Sequence, residues 1–194
     1  MSTTASTKFS ALDPLNLDLG YSDDELAVRD SVRGFLAEAV TPYIADWFEE
    51  GGIPIARELF KQFGQLGVLG MHLDGYGCAG TTATEYGVAC LELEACDSGI
   101  RSMVSVQGSL AMFAIHAFGS EEHRTEWLPR MATGEAIGCF GLTEPDHGSD
   151  PASMRTVARK DGSDLLDEYG YPATLFLTKS AIAGDPGFFK KFQA

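Results

Sequence analysis

Apolar positions recur three and four residues apart through most of the first 134 residues, and the pattern changes near residue 136. Val28, Val32, Phe35, Leu36, Ala39 and Val40 follow the helical period. Just ahead of them, Ser22-Asp23-Asp24-Glu25 has the form of a capping box, and its acids favour the positive end of the helix dipole. The residue before a proline avoids helical geometry, so this helix is predicted to stop before Pro42. A second helix is predicted over Pro54–Leu66, with Ile55, Leu59, Phe60, Phe63 and Leu66 on one side and Gly67 as its end. Thr82-Ala83-Thr84-Glu85 is a second capping box, and its helix reaches about Cys96, before Asp97-Ser98-Gly99. The spacing predicts a fourth helix over Ser102–Phe118, with Met103, Val106, Leu110, Phe113 and Ala117 inward and Gly119 as the stop; Met112 joins the core. Ser120 caps a short helix through Trp127 that Pro129 interrupts or kinks.

Past Gly134, Ile137–Leu142 reads as a strand, Arg155–Lys160 alternates like a second, and Asp161-Gly162 supplies a hairpin turn. The predicted organisation is an extended polar lead-in over 1–20, an all-helical domain over 21–135, the start of a β-domain over 136–164 and a tail over 165–194. The fold class is mainly α.

With 194 residues, 44% of them apolar, the chain can bury a sizeable core. A formal net charge of -14 argues against nucleic acid or an anionic membrane as the main partner. No run of 18 apolar residues predicts a membrane span, and the first twenty residues lack the apolar segment of a secretory signal. Cys78, Cys90, Cys96 and Cys139 form no C-x-x-C pair and have no histidine at metal-ligand spacing. Reduced thiols, no metal and a cytoplasmic location are the expectation.

Gly75-Tyr76-Gly77-Cys78-Ala79-Gly80 fits G-x-G-x-x-G, a dinucleotide fingerprint that has meaning only between a buried strand and a helix. Val68–Asp74 is a poor strand, interrupted by Gly70 and His72, so a glycine-rich loop between packed helices is the plainer reading. His72, His116 and His123 stand alone and read as structural or solvated rather than catalytic. Asp146, Gly148 and Asp150 lack the frame of a calcium loop. Two features remain. Arg101 sits at a predicted helix entrance, where a cation gains nothing from the dipole; it is either ion-paired or held ready for a carboxylate. The stretch Gly138–Met154 ends its apolar start abruptly and then places Thr143, Glu144, Asp146, His147, Ser149 and Asp150 on one loop, with His147 either functional or part of the loop's scaffold.

Gly141-Leu142-Thr143-Glu144-Pro145-Asp146-His147-Gly148-Ser149-Asp150 resembles the flavin-binding motif of the acyl-CoA dehydrogenase family, Leu-Thr-Glu-Pro, two residues, then Gly-Ser-Asp. His147, where most members have a small residue, is similar to the glutaryl-CoA dehydrogenase branch. So are Gly75–Gly80, Glu92-Leu93-Glu94, Asp97-Ser98-Gly99, Arg101-Ser102 and Phe118-Gly119-Ser120-Glu121-Glu122 in order and spacing. The resemblance covers about residues 20–164 and disposes of the dinucleotide reading. It implies an N-terminal helical domain leading into a flavin-binding β-domain. It implies FAD wrapped by Phe140, Gly141, Leu142, Thr143, Glu144, Pro145, Asp146, His147, Gly148 and Ser149, with Thr143 near the pyrimidine edge. Ser149 would also touch the acyl-CoA, and Arg101 and Ser102 would hold the distal carboxylate of glutaryl-CoA. The implied reaction converts glutaryl-CoA to crotonyl-CoA, with an electron-transferring flavoprotein as acceptor and a homo-oligomer as the full-length assembly.

After Asp164 the similarity stops, at Leu165-Leu166-Asp167-Glu168-Tyr169-Gly170. A frameshift, a gene fragment or a truncation would each produce this. The resemblance places the catalytic base in a C-terminal helical bundle that has no counterpart here, so no catalytic residue is assigned and the chain alone is expected to be inactive. Glu144 has a structural role at the turn before Pro145 on this reading. The alternative is a helical fragment that acts only through protein packing.

Overall fold

The computed structural model describes residues 20–153, Arg155, and the backbone of residues 159–161 and 164–166. Seven α-helices account for most of it: α1 (Asp23–Ala39), α2 (Ile44–Glu50), α3 (Ala56–Leu66), α4 (Ala83–Cys96), α5 (Ser98–Ser105), α6 (Phe113–Phe118) and α7 (Glu121–Ala132). A π-helical stretch, Val106–Met112, joins α5 to α6, so Ser98 to Phe118 form one continuous rod. Two short strands, β1 (Arg159–Asp161) and β2 (Asp164–Leu166), pair antiparallel, with Asp161 opposite Asp164.

Both capping boxes form. The Ser22 hydroxyl accepts from the Glu25 N–H while the Glu25 carboxylate accepts from the Ser22 N–H at 2.7 Å, and Thr82 and Glu85 repeat the arrangement. Gly67 ends α3 in the left-handed conformation, φ 82°, where a side chain would be strained. The short α2 was not foreseen.

One core joins α1, α3, α4 and α5 through Val32, Leu36, Leu59, Phe63, Leu93 and Ile100. A second gathers Met112, Ile115, Leu128, Met131 and Ala136 between the far end of the rod and α7. Across the α1–α4 interface, Arg33 donates two hydrogen bonds to the buried Glu92 carboxylate, at 2.8 and 2.7 Å. The turn after α7 is wedged against α3: a Cβ on Gly134 (φ 72°) would lie 2.2 Å from the Phe60 carbonyl oxygen, and one on Gly64 would lie 2.4 Å from the Thr133 carbonyl. Glycine at both positions lets the two backbones touch.

Five expectations are corrected. The fourth helix begins at Ser98, because the Asp97 side chain accepts from the Ile100 N–H at 3.0 Å and caps it. Its inward stripe is Ile100, Val104, Gln107, Gly108, Ala111, Met112 and Ile115, while Phe113, Leu110 and Ala117 are exposed. A segment apolar on several faces leaves the buried side ambiguous, and the π turn, in which the Phe113 N–H reaches the Gly108 carbonyl, rotates the stripe partway along. Helix α7 runs through Pro129 to Ala132; proline removes one N–H bond, and the buried Leu128, Met131 and Ala132 hold the last turn in place. Ile137–Leu142 makes no strand, since among the described residues no segment lies beside it to complete a ladder. Asp161, expected in the hairpin turn, lies inside β1 opposite Asp164. The lead-in over 1–19, residues 156–158 of the expected second strand and the tail beyond 166 lie outside the described residues.

Candidate functional site

The stretch after α7 leaves the core at a single buried side chain. Gln107, on the π segment, has no solvent exposure. Its Nε2 donates to the carbonyls of Met131 (3.0 Å) and Ala136 (2.8 Å), and its Oε1 accepts from the Gly138 N–H at 2.6 Å. From there Phe140, Gly141, Leu142 and Thr143 run exposed, and among the described residues their backbone groups have no backbone partner. The loop then closes on itself. The Glu144 N–H donates to the His147 carbonyl and the His147 N–H to the Glu144 carbonyl, each at 3.2 Å. The Glu144 carboxylate accepts from the Arg155 N–H at 2.9 Å. Asp150 accepts from the Ser153 hydroxyl at 2.5 Å. Pro145, Asp146, Gly148 and Ser149 are exposed, and His147 Nε2 is buried with no hydrogen bond among the described residues. A Cβ on Gly148 would lie 3.8 Å from the Thr143 methyl carbon, an ordinary van der Waals contact across the loop.

Arg101 lies on α5, 37% exposed. Its Nε donates to Glu94 at 2.7 Å and its Nη1 to the Ser105 hydroxyl at 3.2 Å. The Glu94 carboxylate, by hydrogen bond and charge, holds the guanidinium pKa above its ordinary value. Both alternatives for this residue are thus compatible with its geometry: it is ion-paired, yet among the described residues Nη2 has no hydrogen bond. Around it stand Tyr86, hydrogen-bonded to Ser109 at 2.6 Å, and Cys90. Burial raises the pKa of both. Ser102, one residue on, is exposed.

The remaining candidates are structural. Among the described residues no strand precedes Gly75–Gly80. His72 stacks on Tyr86 with ring centroids 4.5 Å apart, and His116 Nε2 meets the Asp74 carbonyl at 3.0 Å. Within the glycine-rich loop, burial pushes the Cys78 thiol up to about 11. At pH 8 only about one molecule in a thousand would carry the thiolate. Iodoacetamide is therefore expected to modify Cys78 far more slowly than a free thiol, as peptide mapping over time would show; labelling at the free-thiol rate would contradict its burial. Among the described residues no helix is long and apolar enough to cross a membrane.

Sequence reasoning missed Gln107. A glutamine in a helix ordinarily reads as surface, and the only available signal was its place one turn from the apolar Val104 and Ala111.

Residues 22–135 match the family described as "Acyl-CoA dehydrogenase, N-terminal domain". The chain is 60% identical to a glutaryl-CoA dehydrogenase from Mycobacterium smegmatis of known structure, with a TM-score of 0.76 over 80% of this chain and 40% of that one. A second structure of a glutaryl-CoA dehydrogenase from that organism, in complex with FADH2, is 57% identical, with a TM-score of 0.77 over 82% of this chain and 41% of the other. An acyl-CoA dehydrogenase of Bacillus subtilis is 29% identical over 86% of this chain and 45% of its own length. The chain therefore spans less than half the length of these relatives. With the helical rod, the loop after α7 and this match across residues 22–135, the chain belongs to the acyl-CoA dehydrogenase family.

Proposed function

We propose that this chain forms the flavin- and thioester-facing part of an FAD-dependent acyl-CoA dehydrogenase that converts glutaryl-CoA to crotonyl-CoA and carbon dioxide. The observation that carries the cofactor reading is the open stretch Phe140–Thr143, whose backbone donors and acceptors face no protein partner among the described residues. A flavin ring needs such groups along its pyrimidine edge and an apolar wall at its face. Phe140, 43% exposed, and Leu142, 41% exposed, provide apolar surface beside those groups. The residues present therefore fit the group: Phe140–Thr143 would meet the ring edge, the Thr143 hydroxyl would add one hydrogen bond, and the exposed Gly148 and Ser149 would reach cofactor and thioester. When bound, the flavin would supply the hydride acceptor.

The protein's own contribution is orientation. Arg101 would hold the distal carboxylate through its Nη2 edge, with Glu94 and Ser105 keeping the guanidinium plane in place. Ser102 would stand beside it. The Glu144 carboxylate is engaged at the Arg155 N–H, which supports a role in shaping the loop rather than in proton abstraction. Identity of 57–60% to the two glutaryl-CoA dehydrogenases supports the substrate reading. An electron-transferring flavoprotein is the acceptor on this reading, in a homo-oligomeric full-length enzyme.

Thr143→Ala is expected to weaken FAD binding by about 0.5–1.5 kcal/mol, the worth of one hydrogen bond. Quenching of FAD fluorescence on titration measures it, and an unchanged affinity would remove Thr143 from the site. A second reading, packing without catalysis, draws on the exposure of Phe113 (46%) and Phe118 (82%), apolar surface of the kind that partners cover. Flavin absorbance in the purified protein separates the two: a colourless protein that also fails to bind added FAD would favour packing.

A further inference from the structure

We infer that Gln107 is a positioning residue for the flavin loop: it clamps the end of α7 and the start of the loop to the rod that carries Arg101. The inference deepens the proposed function and rests on it for the identity of the ligand.

Three observations converge. First, the Gln107 amide is used almost to capacity. Both Nε2 hydrogens go to carbonyls, of Met131 and Ala136, and Oε1 takes the Gly138 N–H. The amide has one workable orientation, because a flip would set oxygen against two carbonyl oxygens and nitrogen against an N–H. Second, those three backbone groups bracket the turn between α7 and the loop, and α3 wedges the same turn from the other side at Gly134 and Gly64. Gly138 is thus the last buried residue before the exposed run to Thr143. Third, the rod fixes the direction of the side chain. Gln107, on the π segment, follows Ile100 and Val104 on the buried stripe at helical spacing, and beside it Gly108 packs so closely on Gly70 that a Cβ there would lie 2.9 Å from the Gly70 nitrogen. Such π segments recur at functional sites. Arg101 stands six residues earlier on the same rod, so one rigid element sets both the proposed carboxylate anchor and the origin of the flavin loop.

The test uses the whole chain with Gln107→Met, which keeps the volume and removes all three bonds, and Gln107→Glu, which keeps the shape and the acceptor but turns a carboxylate oxygen toward two carbonyls. Arg33→Met, remote from the loop, serves as a control that lowers overall stability. Site-resolved amide exchange reads Ala136 and Gly138 against the helical amides of α1 and α4, and FAD titration reads the ligand. Gln107→Met is expected to speed exchange at Ala136 and Gly138, and Gln107→Glu at Ala136, about tenfold or more beyond any change in α1 and α4, the equivalent of one or two lost hydrogen bonds. The control should not raise that ratio, since its own effect falls on α1 and α4. FAD affinity should fall about tenfold in the same two variants. Exchange that rises uniformly, or not at all, would overturn the clamp. Selective exchange with wild-type FAD affinity would leave the clamp standing and overturn the flavin reading of the loop, so the two failures are distinct.

Discussion

Replacing Arg33 with methionine is expected to destabilise the helical domain by about 3 kcal/mol, the low end for removing one partner of a buried ion pair. Glu92 is the reason. Its side chain is only 7% exposed, between α1 and α4, and it receives two hydrogen bonds from Arg33. Methionine would fill the aliphatic path of the arginine but supply no donor. The carboxylate would then have to stay charged in a poorly hydrated place or take up a proton, and either is unfavourable. Arg33 itself is 37% exposed, which lets water soften the loss; hence the low end of the range. Urea unfolding followed by circular dichroism gives the number. The double variant Arg33→Met, Glu92→Met should recover most of it, since two well-packed apolar side chains can replace a buried pair at little cost. A loss below about 1 kcal/mol for the single variant would show that the pair behaves like an ordinary surface bridge.

Arg101→Ala is expected to lower affinity for glutaryl-CoA by about 2–5 kcal/mol, on the order of 30- to 5,000-fold, and to leave a neutral acyl-CoA of similar length nearly unaffected. Two effects act together. The substrate carboxylate loses the guanidinium fork, and Glu94, freed from its 2.7 Å contact, becomes a like charge beside it. Arg101→Lys should fall between, because an ammonium keeps the attraction without the planar geometry. Calorimetric titration of both thioesters into FAD-loaded protein makes the comparison. Equal losses for the two ligands would mean that Arg101 only braces α4 against α5, and the glutaryl assignment would lose its support.

Much of the helical plan was legible because it is local. The capping boxes at Ser22 and Thr82 involve groups three residues apart, and Gly67 takes the left-handed conformation its position requires. The match of Leu142–Asp150 to the flavin motif is also a property of the residues in order, and the family followed from it. Asp97 was legible but misread: Asp97-Ser98-Gly99 was taken as a break, whereas its side chain caps the next helix.

What the sequence determined by itself, then, is where most helices start and stop and which family the chain belongs to, since caps, glycine stops and a contiguous motif depend on near neighbours. Tertiary structure alone decided which face of the rod is buried. Ser98–Phe118 offers apolar residues on several sides, and the choice of Ile100, Val104, Ala111 and Ile115 over Leu110 and Phe113 came from what packs against it. It decided that Ile137–Leu142 stays out of any ladder, because a strand exists only with a partner. It also decided the place of Gln107. Its three hydrogen bonds reach residues 24 to 31 positions away, and no local rule specifies a polar group whose partners arrive only when distant parts of the chain meet.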